Sequence, residues 1–277
     1  MKKIGAPNKL GLLLASAAAL ALCQAGARAG GAEGITAVAS RVSPDYARTR
    51  LPDGSFQPEE YGFGEGGRLD GAARDASIDK TVFMDIVHVL VGPLAAHKYE
   101  PARSEESEKL LIVVFWGTTV APDPLNRSIG YTSGNVAMMD LDAKQRAILD
   151  YRNAKILGYD TDQMIQSDFG NSFTNSGIPG LLHSELVSEL EESRYFVVLM
   201  VYDFQAFRKG AKHKLWETRF SINEPGNHFD KALPAMAQYA SAYFGQDSHG
   251  LLRRPVAEGR VDVGEPKALG EAEAPAK

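Results

Sequence analysis

An α+β domain, with amphipathic helices packed on a small, mainly antiparallel sheet and a C-terminal β-hairpin, is the fold class this sequence predicts. Three observations carry that reading. In residues 194–222, RYFVVLMVYDFQAFRKGAKHKLWETRFSI, an apolar run from Tyr195 to Val201 leads through Asp203 to a polar turn around Gly210. Beyond the turn Trp216, Thr218, Phe220 and Ile222 alternate with Glu217, Arg219 and Ser221, and period two on either side of a glycine-bearing turn is a hairpin signature. Second, Leu110 to Trp116 is a continuous β-branched apolar run stopping at Gly117. Unbroken apolarity in so short a run means a strand covered on both faces, hence central in its sheet. Third, two segments, about 79–97 and 229–243, repeat apolar residues at helical spacing, and helices of this kind bury their stripes on one sheet face.

The 277 residues allow one large domain or two small ones, and 44% hydrophobic content supplies a core. Residues 1–29 read as a secretory signal peptide. Lys2, Lys3 and Lys9 precede an apolar segment from Leu10 to Leu22, and Ala27-Arg28-Ala29 fits small-x-small cleavage. The segment is short for a membrane span, so no transmembrane span is expected after cleavage; an uncleaved N-terminal anchor is the alternative. Cys23 ends the apolar segment, where a lipid-modified cysteine would stand, but the residue before it is Leu22 rather than a small one. Cleavage after Ala29 removes the only cysteine, leaving neither disulfides nor thiolate metal ligands. It also removes four positive charges and no acids, taking the net charge from −5 to −9. An acidic mature chain without a basic patch excludes nucleic acid as a partner.

Residues 30–77 are glycine-rich and poor in aliphatics, an irregular lead-in with one short strand near Tyr61-Gly62-Phe63. From Asp79, a candidate cap, Phe83, Ile86, Val87, Leu90 and Leu94 recur at helical spacing, and Gly92-Pro93 should kink or break that helix. Residues 122–134 read as a loop. A helix from about Asp142 to Leu157, closed by Gly158, turns Ile148 and Ile156 inward. Residues 170–177 are a polar loop, and Leu182, Leu186 and Leu190 mark another amphipathic helix. After the hairpin Asn227 is placed as an N-cap, with Phe229, Leu233, Met236, Ala240 and Tyr243 as the stripe, Pro234 as a bend and Gly245 as the stop. A short strand is expected at Arg260–Val263. The chain thus divides into a signal peptide (1–29), a lead-in (30–77), a single α+β domain (78–254, with 120–193 as a helical insertion or cap) and a flexible tail (255–277).

No motif assigns a chemistry, a cofactor or a metal. Gly62, Gly64 and Gly67 match G-x-G-x-x-G, but neither the strand before nor the helix within the dinucleotide fingerprint is present, so a glycine-rich turn is the reading. Asp247-Ser248-His249 holds triad residue types, but sequence neighbours point apart, so this too is a turn. Asp160 and Asp162 begin a calcium-loop pattern that Met164, Ile165 and Asn171 break. Asp85 with His88, and His183 with Glu185 and Glu189, lack the H-E-x-x-H spacing and read as solvated faces. The hairpin keeps one polar set of interest. Glu217 and Arg219 share the face opposite Trp216 and Phe220, and a turn centred near Gly210–Ala211 would set Asp203 across from Arg219 as an outer-face ion pair. Asp203, Glu217 and Arg219 are the candidate binding residues.

TRLPDGSFQPEEYGFGEGG, LLIVVFWGTT, YFVVLMVYDFQ, LWETRFSI and YFGQDSHGLLRRP together resemble a family of bacterial exported proteins without an assigned activity, over roughly 46–265. That resemblance implies export and a shared fold. The functional expectation is a non-enzymatic binding or structural module of the envelope or periplasm, with another envelope protein as partner and oligomeric state open. The alternatives are a secreted hydrolase assembled from His183, His228 and His249 with Asp203 or Glu217, and a small-molecule-binding protein with an apolar pocket.

Overall fold

A computed structural model describes residues 34–69, 75–121, 136–159 and 189–256. The elements run β1 (Gly34–Val42), β2 (Glu59–Leu69), α1 (Ala76–Asp79), α2 (Phe83–Ala96), β3 (Tyr99–Pro101), β4 (Leu110–Thr118), α3 (Val136–Leu157), β5 (Arg194–Asp203), α4 (Phe204–Arg208), β6 (Lys214–Asn223), α5 (Phe229–Ser241) and β7 (Leu251–Val256). One seven-stranded mixed sheet has the order β3-β2-β4-β5-β6-β1-β7. The β2–β3 and β2–β4 pairs are parallel and the other four antiparallel. The fold is α+β, as its sequence pattern predicts.

The hairpin of β5 and β6 and the covered strand β4 form the middle of this sheet. The lead-in departs from expectation in part: the strand expected near Tyr61–Phe63 is present but runs eleven residues as β2 beside β4, and β1 lies between β6 and β7. Small residues hide β1. Ala37, Ala39 and Ser40 are weak strand formers, yet all are buried, because elements close in on both faces. In β2 the G-x-G-x-x-G residues make a strand, not a turn, with a bulge between Glu65 and Gly67. Its glycines stand where neighbouring side chains cross the strand: a Cβ on Gly66 would lie 2.7 Å from the Phe115 ring. Chain order past the hairpin also differs, since β7 at Leu251–Val256 precedes the expected strand at Arg260–Val263, which lies outside the described residues.

One face carries the main core. Ile112, Val114 and Trp116 of β4, Val197, Leu199 and Val201 of β5, and Trp216 and Phe220 of β6 point to it. Ile86, Leu90 and Leu94 of α2 and Phe229, Leu233, Met236 and Ala240 of α5 cover it. Full burial of a side chain of this size contributes about 1.5–3 kcal/mol. Trp216 is central, stacked at 5.9 Å on Phe244 and tilted at 5.8 Å to Tyr99. That packing carries α2 through Pro93 to Ala96, where a break is expected: one backbone bond is lost, but Leu90 and Leu94 stay fully buried on either side.

Helix ends also differ from the sequence reading. Asp79 closes α1 rather than opening α2, and Asp85 accepts from Val82 N at 3.0 Å. Asn227 donates its side-chain amide to Asn223 O at 2.8 Å, leaving His228 as the N-cap of α5. In α3 the Gly158 stop is present, with φ 85°, but Ile148 is 68% exposed. Among the described residues only the last turns of α3 reach the sheet, through Asn153, Ala154 and Leu157, and the stripe further upstream meets no partner surface there.

Asp75 ties α1 to the sheet. One carboxylate oxygen accepts Ser77 N at 2.9 Å, and the other accepts the Ser77 and Tyr195 hydroxyls. Burial pushes its pKa up, but the Ser77 and Tyr195 hydrogen bonds outweigh that and hold it at about 2, below the ordinary 3.8. A depressed folded pKa stabilises above the unfolded value and loses its effect as pH falls through the folded one. Asp75→Asn keeps the cap but not its charge, and should cost about 1 kcal/mol at pH 7, the difference between hydrogen bonds to a charged and to a neutral acceptor. In acid titrations of stability the two proteins should converge between pH 3.8 and about 2; parallel curves would exclude this role.

Candidate functional site

Strand alternation places Glu217, Arg219 and Ser221 on the sheet face away from Trp216. Pairing registers then define the rows of that second face. Arg41, Glu217, Met200 and Val113 make one row across β1, β6, β5 and β4, and Ala39, Arg219, Val198 and Phe115 the next. Over them lies the C-terminal end of α3, from Lys155 to Leu157, followed by Gly158 and Tyr159. Between helix end and sheet is a pocket of about 400 Å³. Its apolar lining is Leu69, Phe115, Ile156, Val198 and Met200, with Tyr159; its charged lining is Arg41, Lys155, Arg219 and Glu217.

Glu217 is 7% exposed and meets Lys214 Nζ at 2.6 Å and Arg219 Nε at 3.3 Å. Burial pushes its carboxyl up, but the charges of Arg219 and Lys214 outweigh this and hold it below the usual range. It is therefore a matched anion rather than a proton reservoir. Arg219 also donates Nη1 to the carbonyls of Lys155 at 2.8 Å and Ile156 at 3.1 Å, satisfying the C-terminal end of α3. Gly158 permits this approach, because a Cβ there would lie 2.7 Å from the Ala39 methyl and 2.9 Å from Arg219 Cδ. Tyr159 fixes the far side by donating to Glu189 Oε2 at 2.5 Å, while Arg253 Nε reaches Glu189 Oε1 at 2.8 Å.

Of the three candidate residues the structure brings two together. Asp203 does not face Arg219, which pairs with Val198, five residues before Asp203 in β5. A bulge between Val201 and Tyr202 and the short helix α4 lengthen the connection, and the Asp203 carboxylate caps that helix by accepting Ala206 N at 2.7 Å. Glu217 and Arg219 are likewise not on an open outer face, because α3 covers it. Arg41 and Lys155 join them from 176 and 62 residues before Glu217, a juxtaposition only the strand register and the seat of α3 create. Reading β1 as a strand would have put Arg41 on this face by alternation, but no local signal marks Lys155.

Elsewhere, Asp247-Ser248-His249 is not a regular turn but irregular chain that bends at His249 before β7. Ser248 Oγ accepts Ser40 N at 2.8 Å and donates to Gly250 O at 2.6 Å, and exposed His249 lies 3.4 Å from Asp247. Among the described residues neither His228 nor His249 faces Asp203 or Glu217. His183, Glu185, Asp160 and Asp162 lie outside those residues, as does Cys23. Asp85 and His88 are exposed on α2, as expected. A more polar groove of about 460 Å³ runs between α1, α2 and α5, past Lys80, Asp85, His228 and Asp230, but the Asp85 carboxylate there already caps α2. Among the described residues no group of three or more His, Cys, Asp or Glu is placed to hold a metal, and no helix is long and apolar enough to cross a membrane.

No known protein family and no curated protein matches the chain. Among solved structures, a PDZ domain protein from Parabacteroides distasonis ATCC 8503 is similar at a TM-score of 0.40 and 12% identity. That alignment covers 80% of this chain and 39% of the other, so this chain spans well under half of its length. A likeness of that degree assigns neither a family nor a function.

Proposed function

We propose that this chain is an exported, non-enzymatic protein of the envelope or periplasm that binds a small, largely apolar molecule on the second face of its sheet. The pocket beneath the end of α3 carries the binding half of this reading. Its volume of about 400 Å³ falls within the range of small-molecule sites, and its lining is an apolar floor with few polar groups. Its single acid, Glu217, is held ionised by two cations, and its described lining contains no serine, cysteine or histidine to act as nucleophile or base. Export rests on the charged start, apolar segment and Ala27-Arg28-Ala29 site of the N-terminus.

Fractionation and N-terminal sequencing test the export half: a periplasmic or secreted chain beginning at Gly30 is the expected product, and a full-length cytoplasmic chain would overturn it. Calorimetric titration with decan-1-ol and with decanoate tests the binding half. Saturable binding of at least one is expected, and Met200→Trp, which fills the pocket from a half-buried position, should abolish it without lowering the melting temperature. Binding that survives in Met200→Trp, or none in the unaltered protein, would sink the assignment.

A further inference from the structure

The geometry points to a ligand with an anionic group at one end of an elongated apolar body, a single-chain amphiphilic carboxylate, and this inference rests on the pocket's being a binding site at all. Charge is the first observation. The chain as a whole is acidic, with a net charge of −5, yet the pocket is lined by Arg41, Lys155 and Arg219 against Glu217 alone. Glu217 is already matched twice, by Lys214 and by Arg219. Its negative charge is thus balanced before Arg41 and Lys155 are counted. Those two are exposed, one on β1 and the other on the last turn of α3. A cationic ligand would meet like charge there, from Arg41 and from a Lys155 ammonium that lies 5.0 Å from the centre of the exposed Tyr151 ring.

Shape is the second observation. Arg41 on β1 and Leu69 on β2 both line the pocket, and four strand spacings separate their strands in the order β2-β4-β5-β6-β1. At about 4.8 Å each that is roughly 19 Å across the sheet. From β5 to β2 the floor is apolar, formed by Met200, Val198 and Phe115, and the matched Glu217–Arg219 pair of β6 lies between that floor and Arg41. A charged end beside Arg41 and Lys155 therefore places the body of the ligand across the strands toward Leu69.

Titration at pH 7 with decanoate, decan-1-ol and decyltrimethylammonium tests the charge, with Arg41→Gln/Lys155→Gln as the variant. Decanoate is expected to bind at least tenfold more tightly than decan-1-ol, and the ammonium amphiphile not to bind. The double variant should lose that preference while keeping its melting temperature, and 0.5 M salt, which shortens the screening length to a few ångströms, should reduce the preference in the unaltered protein. Equal affinities for decanoate and decan-1-ol would overturn the anionic ligand and leave the apolar site standing. A preference for decanoate that persists in the double variant would also overturn it. If none of the three binds, the binding site itself fails.

Discussion

Gly117→Ala is expected to destabilise the protein by about 3 kcal/mol, the upper part of the range for forced overpacking. Gly117 is the penultimate residue of the central strand β4, where β2 on one side pairs Leu69 with it and β5 on the other pairs Phe196. A Cβ at this position would overlap the Leu69 carbonyl, with Leu69 C only 2.8 Å away and Leu69 N at 3.2 Å. The obstacle is backbone held in a ladder, so no rotamer change can relieve it. For a domain of this size the melting temperature should fall by roughly 6–12 °C. Gly210 provides the control. Nothing lies within 4 Å of a Cβ there, and only its φ of 86° opposes a side chain. Gly210→Ala should therefore cost about 1–2 kcal/mol, the price of the left-handed conformation alone. Thermal and urea unfolding of the two variants decide the matter, and equal losses would show that β2 does not press on β4 as described.

Trp216→Ala should cost about 3–5 kcal/mol, as removal of a large buried aromatic does. The indole is fully buried, and Phe244 and Tyr99 hold its two sides, so the surrounding rings cannot collapse into the space without moving the chain after α5 and the β3 edge together. Trp216→Phe should cost clearly less than Trp216→Ala, because one buried ring is kept and the cavity left is smaller. The indole Nε1 is buried without a hydrogen-bond partner among the described residues, and phenylalanine removes that donor along with the second ring. The ordering of these two variants is the informative result: a phenylalanine as damaging as alanine would mean that the indole nitrogen is bonded and that the core is organised differently.

Legibility in the sequence followed the range of the forces involved. The hairpin, β4 and the stripes of α2 and α5 were readable because each is set by alternation or helical spacing within some fifteen residues. β1 is not, and of β2 only the stretch near Tyr61–Phe63 is, since Ala37, Ala39, Gly64 and Gly66 are poor strand formers locally. Their smallness makes sense only against Gly158, Leu111 and Phe115, which lie far along the chain. The same division runs through the site. Period two put Glu217 and Arg219 on one face, and the ion pair between them is close to what neighbouring alternate residues dictate. Asp203 sits away from Arg219, against what alternation alone predicts, because hairpin register depends on how the connection folds, and here it contains a five-residue helix and a bulge. Ile148 was misplaced because a helix stripe is buried only where a partner surface exists.

The sequence by itself thus determined an α+β chain with a covered central strand, a hairpin and two helices on one face, and it put Glu217 and Arg219 side by side. Only the tertiary structure decided that β1 and β2 complete a seven-stranded sheet, that the end of α3 roofs the second face, and that Arg41 and Lys155 meet Glu217 there. The physical reason is that periodic burial is a local property of the chain. Cross-strand register and the seating of a helix end depend instead on groups distant in sequence, which the fold alone brings together.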